Sequence, residues 1–391
     1  MQPPQITVGI VGLGLAASAH IEGYERHPGA RVVAVCDSDE KRAQPWAARR
    51  GVPKVYGDYQ SMLADAEINL VDIATPTYLH APMTQAAAEA GKHVHCEKPF
   101  CRVAAEGRVA CDAIRRNGTK LVVGETYVFL TSHMKAHELI AGGEIGRPMQ
   151  VRLRHGGWRE RRRPRIDTGP ADRTWRVDPA SSGGGAYPWM FDHAVHFFAV
   201  AEYFMLDTPI SEIYAVRGAS VGGSESTGAA HDPYTSEEAD IPIITWRYVD
   251  EERQGVWMRA ERLNHKYDSM NGFSSTIIGE TGAIEVLGEG GGKLFENGQP
   301  QHLVLHRQGK GPLSFRFEEG GDAVWDSEIC YYTQGHVNQI HHLIDSILDD
   351  TEPRYGGEHG VHAVRCTLAA IRSAAEGRPV RIDEIAHDNT A

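Results

Sequence analysis

The sequence predicts an α/β chain in two parts: a doubly wound parallel sheet over residues 1–126, then an α+β unit over residues 127–391 built on a large, mostly antiparallel open sheet. Three observations carry that prediction. The chain opens with an apolar run at residues 6–11 that ends in glycines and gives way to helix-compatible residues at 16–26. Short apolar runs then alternate with helical stretches as far as Gly124, as parallel strands joined by crossover helices do. After about Gly146-Arg147-Pro148 the texture changes to Gly-rich loops and polar–apolar alternation, the pattern of antiparallel strands.

In order, the first part reads as strands at 6–11, 32–36, 70–74, 93–95 and 121–124, with helices at 16–26, near 83–90 and at 103–116. In the second part, residues 243–249, 256–261 and 274–278 alternate with period two. Residues 337–348 and 360–375 return to helical periodicity, and 379–382 reads as a last strand or strap, the closing segments being expected to pack back on the first part. The glycine clusters at 183–185 and 288–292 read as turns, and no internal repeat is visible.

Composition narrows the function classes. A 41% hydrophobic, 24% charged chain of 391 residues has the makings of two globular cores rather than a fibrous or disordered polymer. Its net charge of −12 and isoelectric point near 5.9 argue against a nucleic-acid partner, which needs a dominant basic face. The six cysteines, Cys36, Cys96, Cys101, Cys111, Cys330 and Cys366, have neither paired metal-ligand spacing nor disulfide-scaffold density, so reduced thiols are expected. With no signal-like N-terminus and no apolar run of about 18 residues, no membrane association and a cytoplasmic location are expected.

The glycine-rich turn comes next. Gly9-Ile10-Val11-Gly12-Leu13-Gly14-Leu15-Ala16-Ala17 joins the first strand to the first helix. There Gly12 permits the turn, Gly14 lets backbone approach a pyrophosphate, and small Ala17 allows close helix–strand packing. Asp37 closes the second strand, about 20 residues on, where a carboxylate holds the hydroxyls of an adenosine ribose. The plainer alternative is a tight strand–helix turn with Asp37 capping the next helix. A carboxylate at this place repels a 2′-phosphate and favours NAD, although Lys41 and Arg42 follow closely enough to leave NADP open.

Removing a hydride from an alcohol carbon requires a group that takes the hydroxyl proton. Two segments offer one: His93-Val94-His95-Cys96-Glu97-Lys98-Pro99 at a strand end, and Gly183-Gly184-Gly185-Ala186 followed by Asp192-His193-Ala194-Val195-His196 at the start of an apolar helix. Asp192 and His196 are four apart and share a helix face, for either a cleft or a packing role.

These segments resemble the Glu-Lys-Pro and Asp-x-x-x-His motifs of the glucose-fructose oxidoreductase, inositol dehydrogenase and MocA-like family. The resemblance runs along nearly the whole chain. It takes in Ala74-Thr75-Pro76-Thr77 with His80, Gly142-Gly143-Glu144-Ile145-Gly146-Arg147-Pro148, Ile278-Gly279-Glu280-Thr281-Gly282 and Gly377-Arg378-Pro379-Val380. It implies a Rossmann domain that binds NAD through Gly12, Gly14, Leu15, Ala16, Asp37, Ala74, Thr75, Pro76, His80, Glu97 and Lys98. It also implies that Lys98 contacts the substrate hydroxyl and nicotinamide, that His196 is general acid or base, and that Asp192 holds substrate or orients the imidazole. Tyr127, Arg159, Trp175, Arg176 and His193 are the expected substrate contacts. Three or so extra residues near 187–190 precede Asp192, and Ala199 stands where many relatives carry aspartate.

Nine arginines lie between Arg152 and Arg176, a local reversal of sign that reads either as a grip on substrate carboxylate or phosphate, or as a solvated loop or subunit contact. His336, His341 and His342 lack a Cys or carboxylate set around them, so no metal is expected and they read as solvent or interface histidines. The leading function is NAD-dependent hydride transfer at a secondary alcohol or ketone of a sugar, cyclitol or glycoside ring. The alternatives are a cis-dihydrodiol carboxylate dehydrogenase, an NAD-retaining redox-neutral glycoside hydrolase and a non-catalytic dinucleotide-sensing regulator. The resemblance and the open second sheet point to a homodimer or homotetramer.

Overall fold

The computed structural model describes residues 6–155, 174–176, 178–218, 240–259, 273–287, 302–317 and 333–385. Strands β1 (Ile6–Val11), β2 (Ala30–Cys36), β3 (Lys54–Tyr56), β4 (Leu70–Ile73), β5 (His93–Glu97) and β6 (Leu121–Gly124) make one parallel sheet. Its order is β3-β2-β1-β4-β5-β6, so the winding reverses between β1 and β4, where such sheets open a ligand crevice beyond their carboxyl ends. Val8, Ile10, Val35, Leu70, Val94 and Val122 are sealed from solvent. Burial on both faces explains why these strands read as unbroken apolar runs.

Helices α1 (Leu15–Arg26), α2 (Glu40–Arg50), α3 (Tyr59–Leu63), α4 (Thr77–Glu89) and α5 (Ala104–Asn117) supply the crossovers. Asp39 caps α2 by accepting from Lys41 N, and Gly51 ends it at φ +66°. The cap is thus Asp39 and not Asp37. β3 and α3 escaped the sequence reading because they are short and β3 is only half-buried.

After α6 (Thr131–Ala141), strands β7 (Pro148–His155), β8 (Ile210–Gly218), β9 (Asp240–Tyr248), β10 (Gln254–Arg259), β11 (Phe273–Gly279), β12 (Gly282–Leu287), β13 (His302–Arg307), β14 (Leu313–Arg316) and β15 (Val380–Arg381) form the second sheet. The order is β14-β13-β12-β11-β7-β10-β9-β8-β15, and every pair is antiparallel except β7 with β10. Its inner face receives α8 (Pro188–Phe204), which follows the short α7 (Pro179–Ser182). Phe197 stacks on Trp257 with centroids 4.9 Å apart, Phe198 meets Trp246 edge-on at 5.7 Å, and Tyr248 OH donates to Ala201 O at 3.1 Å. Aromatic burial on this scale fixes the rotation of α8 about its axis, and with it the direction of the polar residues in its first turns. The opposite face exposes Tyr214, Val216, Ile243 and Met258.

Two closing helices return to the first sheet. In α9 (Thr333–Leu348), Ile340 presses on Gly23 of α1, where a Cβ would stand 2.9 Å from Ile340 Cδ1. In α10 (Gly357–Glu376), Val361 meets Gly107 of α5, where a Cβ would stand 2.5 Å from Val361 Cγ2. One expectation is corrected here: His336 is buried, and His341 and His342 are half-buried, bonded to Gly23 O at 3.1 Å and by Arg354 N at 2.8 Å. Cys36, Cys96, Cys101, Cys111 and Cys366 are free and buried, and Cys330 lies outside the described residues. No helix among the described residues is long and apolar enough to cross a membrane.

Candidate active site

At the switch point, Gly12 takes φ +85°, and a Cβ there would collide with Ala74 O at 2.6 Å, so glycine is required both by conformation and by space. Gly14 has nothing within 4 Å of where its Cβ would point. It begins α1 without a side-chain cap, and the first turn carries no acidic residue. Leu15 and Ala16, both half-buried, continue that turn. An uncapped helix start with open space before it offers unpaired N–H groups and the positive end of the helix dipole to an anion. Asp37 is held by Leu13 N and Asp39 N, each at 2.9 Å, with Arg42 Nη1 3.6 Å from its Oδ2. A glycine cradle, an open helix start and a fixed carboxylate suit a dinucleotide.

Ala74, Thr75 and Pro76 join β4 to α4 alongside this turn. His80 reaches across with Nε2 2.7 Å from Thr75 O and Nδ1 2.7 Å from Pro99 O, tying the loop after β4 to the loop after β5. Burial lowers the pKa of this imidazole.

Lys98 follows β5 directly and its side chain is largely enclosed. Its Nζ donates to Asp192 O at 3.0 Å and to Asp192 Oδ1 at 3.1 Å, so one of three ammonium protons remains. Arg176 Nη1 donates to the other carboxylate oxygen at 2.9 Å, while its guanidinium lies 4.9 Å over the Trp175 ring. His193 Nδ1 is 3.5 Å from the same Asp192 oxygen. Burial opposes ionisation of Asp192, but Lys98, Arg176 and His193 outweigh it and hold the carboxyl well below the usual carboxylate range.

One turn along α8, His196 Nδ1 is 2.5 Å from Glu125 Oε1, and Tyr127 N donates to the same oxygen at 3.2 Å. The Tyr127 ring lies 4.6 Å from the imidazole. A carboxylate oxygen only accepts, so Nδ1–H is the donor to Glu125, and the neutral tautomer with that proton has its lone pair on Nε2. Lys98, Asp192, His193, His196, Tyr127, Trp175 and Arg176 are thus gathered around the first turns of α8, and Arg159 lies outside the described residues. The carboxylate holding His196 is Glu125, not Asp192. Sequence reasoning missed Glu125, and its only signal was a buried acid at the end of the last parallel strand.

Beneath Lys98 lies a second set of ionisable groups. Asp72 accepts from His20 Nδ1 at 2.9 Å, Tyr24 OH at 2.8 Å and His95 Nδ1 at 3.1 Å, while His20 Nε2 is 3.1 Å from Glu97 Oε1. The His336 ring closes the cluster 5.1 Å from that of His20. Burial alone would lower the His20 pKa, yet Asp72 and Glu97 reverse this and raise it to about 10. Glu97, which burial would raise, is brought down to about 2 chiefly by His20, with help from His336 and Lys98.

The family model described as the oxidoreductase family with an NAD-binding Rossmann fold matches residues 6–125, and that for the family's C-terminal alpha/beta domain matches residues 137–382. An uncharacterized oxidoreductase of Bacillus subtilis is 27% identical, the match covering 97% of both chains. Myo-inositol 2-dehydrogenase of Thermotoga maritima is 24% identical over 97% of this chain and 99% of its own. The solved levoglucosan dehydrogenase, in complex with NADH and levoglucosan, superposes with a TM-score of 0.72 at 23% identity, covering 96% of this chain and 98% of its own.

Proposed function

The chain belongs to this Gfo/Idh/MocA oxidoreductase family and is an NAD-binding dehydrogenase or reductase, and we propose on that premise that it acts on a secondary alcohol or ketone of a sugar, cyclitol or glycoside ring. The carrying observation is the convergence of Lys98, Asp192 and the His196–Glu125 pair where β5 ends beside the glycine turn. Relatives that act on myo-inositol and on levoglucosan support the ring-alcohol reading.

NAD, when bound, supplies the hydride acceptor, and its pyrophosphate suits the N–H groups at Gly14, Leu15 and Ala16. Asp37 stands where the adenosine ribose is held, and with Arg42 beside it NADP remains an outcome to measure. In the oxidative direction, Lys98 directs its remaining proton at the substrate oxygen and steadies the developing alkoxide. His196 Nε2 takes the hydroxyl proton, and Glu125 stabilises the imidazolium that results. Asp192 fixes the Lys98 ammonium from two sides while Arg176 balances its charge. Trp175 and Tyr127 give flat faces for a ring. The open face of the second sheet, bearing Tyr214, Val216, Ile243 and Met258, would meet a second copy in a homodimer or homotetramer. A cytoplasmic location fits a chain with reduced thiols.

NADH formation across a panel of sugars, inositols, glycosides and cis-diol carboxylates, in wild type, Lys98→Ala and His196→Ala, tests the reading. Turnover of a ring alcohol that both variants lose while still binding NAD is the expected result. Turnover confined to cis-diol carboxylates would move the substrate class. Tight NAD binding with no NADH from any compound would overturn the dehydrogenase role in favour of a redox-neutral hydrolase or a sensor.

A further inference from the structure

The buried cluster under Lys98 has a composition that demands a particular protonation state. Asp72 is closed to solvent and takes three donors, one from α1 through His20, one from Tyr24 of the same helix and one from His95 of β5. A carboxyl group surrounded only by donors is ionised. His95 gives it one nitrogen, Nδ1, and its Nε2 has no hydrogen-bond partner among the described residues. On α9, His336 Nδ1 accepts from the Gln339 amide at 3.1 Å. Burial, followed by the charge on His20, pushes the His336 pKa down to about 3, so that ring is neutral. His20 differs from both in that each of its two nitrogens faces a carboxylate oxygen, which accepts and does not donate.

We propose that His20 is a positioning residue, a permanently charged imidazolium that bridges Asp72 to Glu97, keeps Glu97 an anion, and thereby fixes the strand end from which Lys98 projects. This rests on the reading that Lys98 takes part in the reaction. His20 itself touches neither substrate nor the reacting atoms. The chemical consequence lies at Glu97, which adjoins Lys98 in the chain and sits against Gly124, where a Cβ would be 3.0 Å from Glu97 Oε1. With both sides of the carboxylate filled, its charge is settled by His20 from below and Lys98 from above. Without the imidazolium, two buried carboxylates share too few positive partners, and the less well-bonded of them, Glu97, takes up a proton.

The same atoms admit a rival. The donor atoms of His20, Glu97 and His336 lie within 4.8 Å of one another, a set a divalent metal ion would also suit, but metal ligation needs His20 Nε2 deprotonated. The two states differ by one proton on an identifiable nitrogen.

The test uses the full-length protein labelled with 15N in its histidine rings, the His20 signals being identified by their loss in His20→Gln. Two protonated ring nitrogens, unchanged from pH 6 to 9, are expected. A neutral ring anywhere in that range, whether from metal binding or from a protonated Glu97, overturns the proposal. In folded His20→Gln, 13C-carboxyl spectra should then show Glu97 taking up its proton at higher pH than in wild type, and Glu97→Gln in the same background should remove that titration. A Glu97 that stays ionised without His20 would leave His20 as mere filling and sink the positioning role. These readouts need no substrate, so they stand apart from the turnover test of Lys98, whose failure would remove the catalytic premise and leave the charge assignment intact.

Discussion

The floor of the parallel sheet and the first turns of α8 each hold a histidine against a buried glutamate, and they use it in opposite ways. His20 has a carboxylate at both nitrogens, so neither can give up its proton without stranding a charge. His196 has a carboxylate at Nδ1 alone, leaving Nε2 to exchange one. An imidazole closed at two ends has no nitrogen left for a ligand, whereas one closed at a single end keeps a nitrogen to present to one.

The largest effect that would break this contrast comes from His196→Ala. Turnover of the panel compound that wild type oxidises should fall on the order of 10³-fold with NAD affinity retained. An equal loss in His20→Gln would erase the distinction. Next, Glu125→Gln keeps the shape but admits the wrong tautomer, and kcat should drop on the order of 10²-fold with little change in KM. The contrast is sharpened by Asp192→Asn, which loosens Lys98 and Arg176 and should act non-additively with Lys98→Ala but additively with Glu125→Gln, measured by double-mutant cycles in kcat/KM.

The smallest effect is in stability. His20, raised to about 10, contributes fully below its unfolded value of about 6.5 and loses that contribution as pH climbs towards 10. Glu97, lowered to about 2, contributes above its unfolded value of about 4.3 and loses it as pH falls. Tm should therefore decline by a few degrees between about pH 7 and 10. Calorimetry on His20→Gln should show that alkaline decline flattened.

The cofactor half was legible because its signals are local. A turn with Gly12 at positive φ, apolar strand runs and an acid closing β2 all lie within a short stretch of chain. The candidate catalytic half was legible only in pieces. Lys98, Asp192 and His196 stood out by spacing and by family resemblance, whereas Glu125 drew no reading because its partner is 71 residues away. His336 read as a solvent or interface histidine for the same reason, its neighbour His20 belonging to the first helix of the chain. Periodicity reports which face of a helix is wet, and it does not say which distant charge that face meets. Arg159 and its neighbouring arginines fall outside the described residues, so their two readings stand as they were.

The two glycines pressed by closing helices, Gly23 under Ile340 and Gly107 under Val361, limit how this molecule can be recombined. Grafting a dinucleotide-binding domain from a relative onto this chain would have to respect both contacts. Here a donor with alanine at either glycine would bring a methyl group into the space of a side chain more than 250 residues downstream. The heritable unit of cofactor binding therefore includes the matching faces of α9 and α10, and a graft that ignores them inherits a clash along with its new specificity.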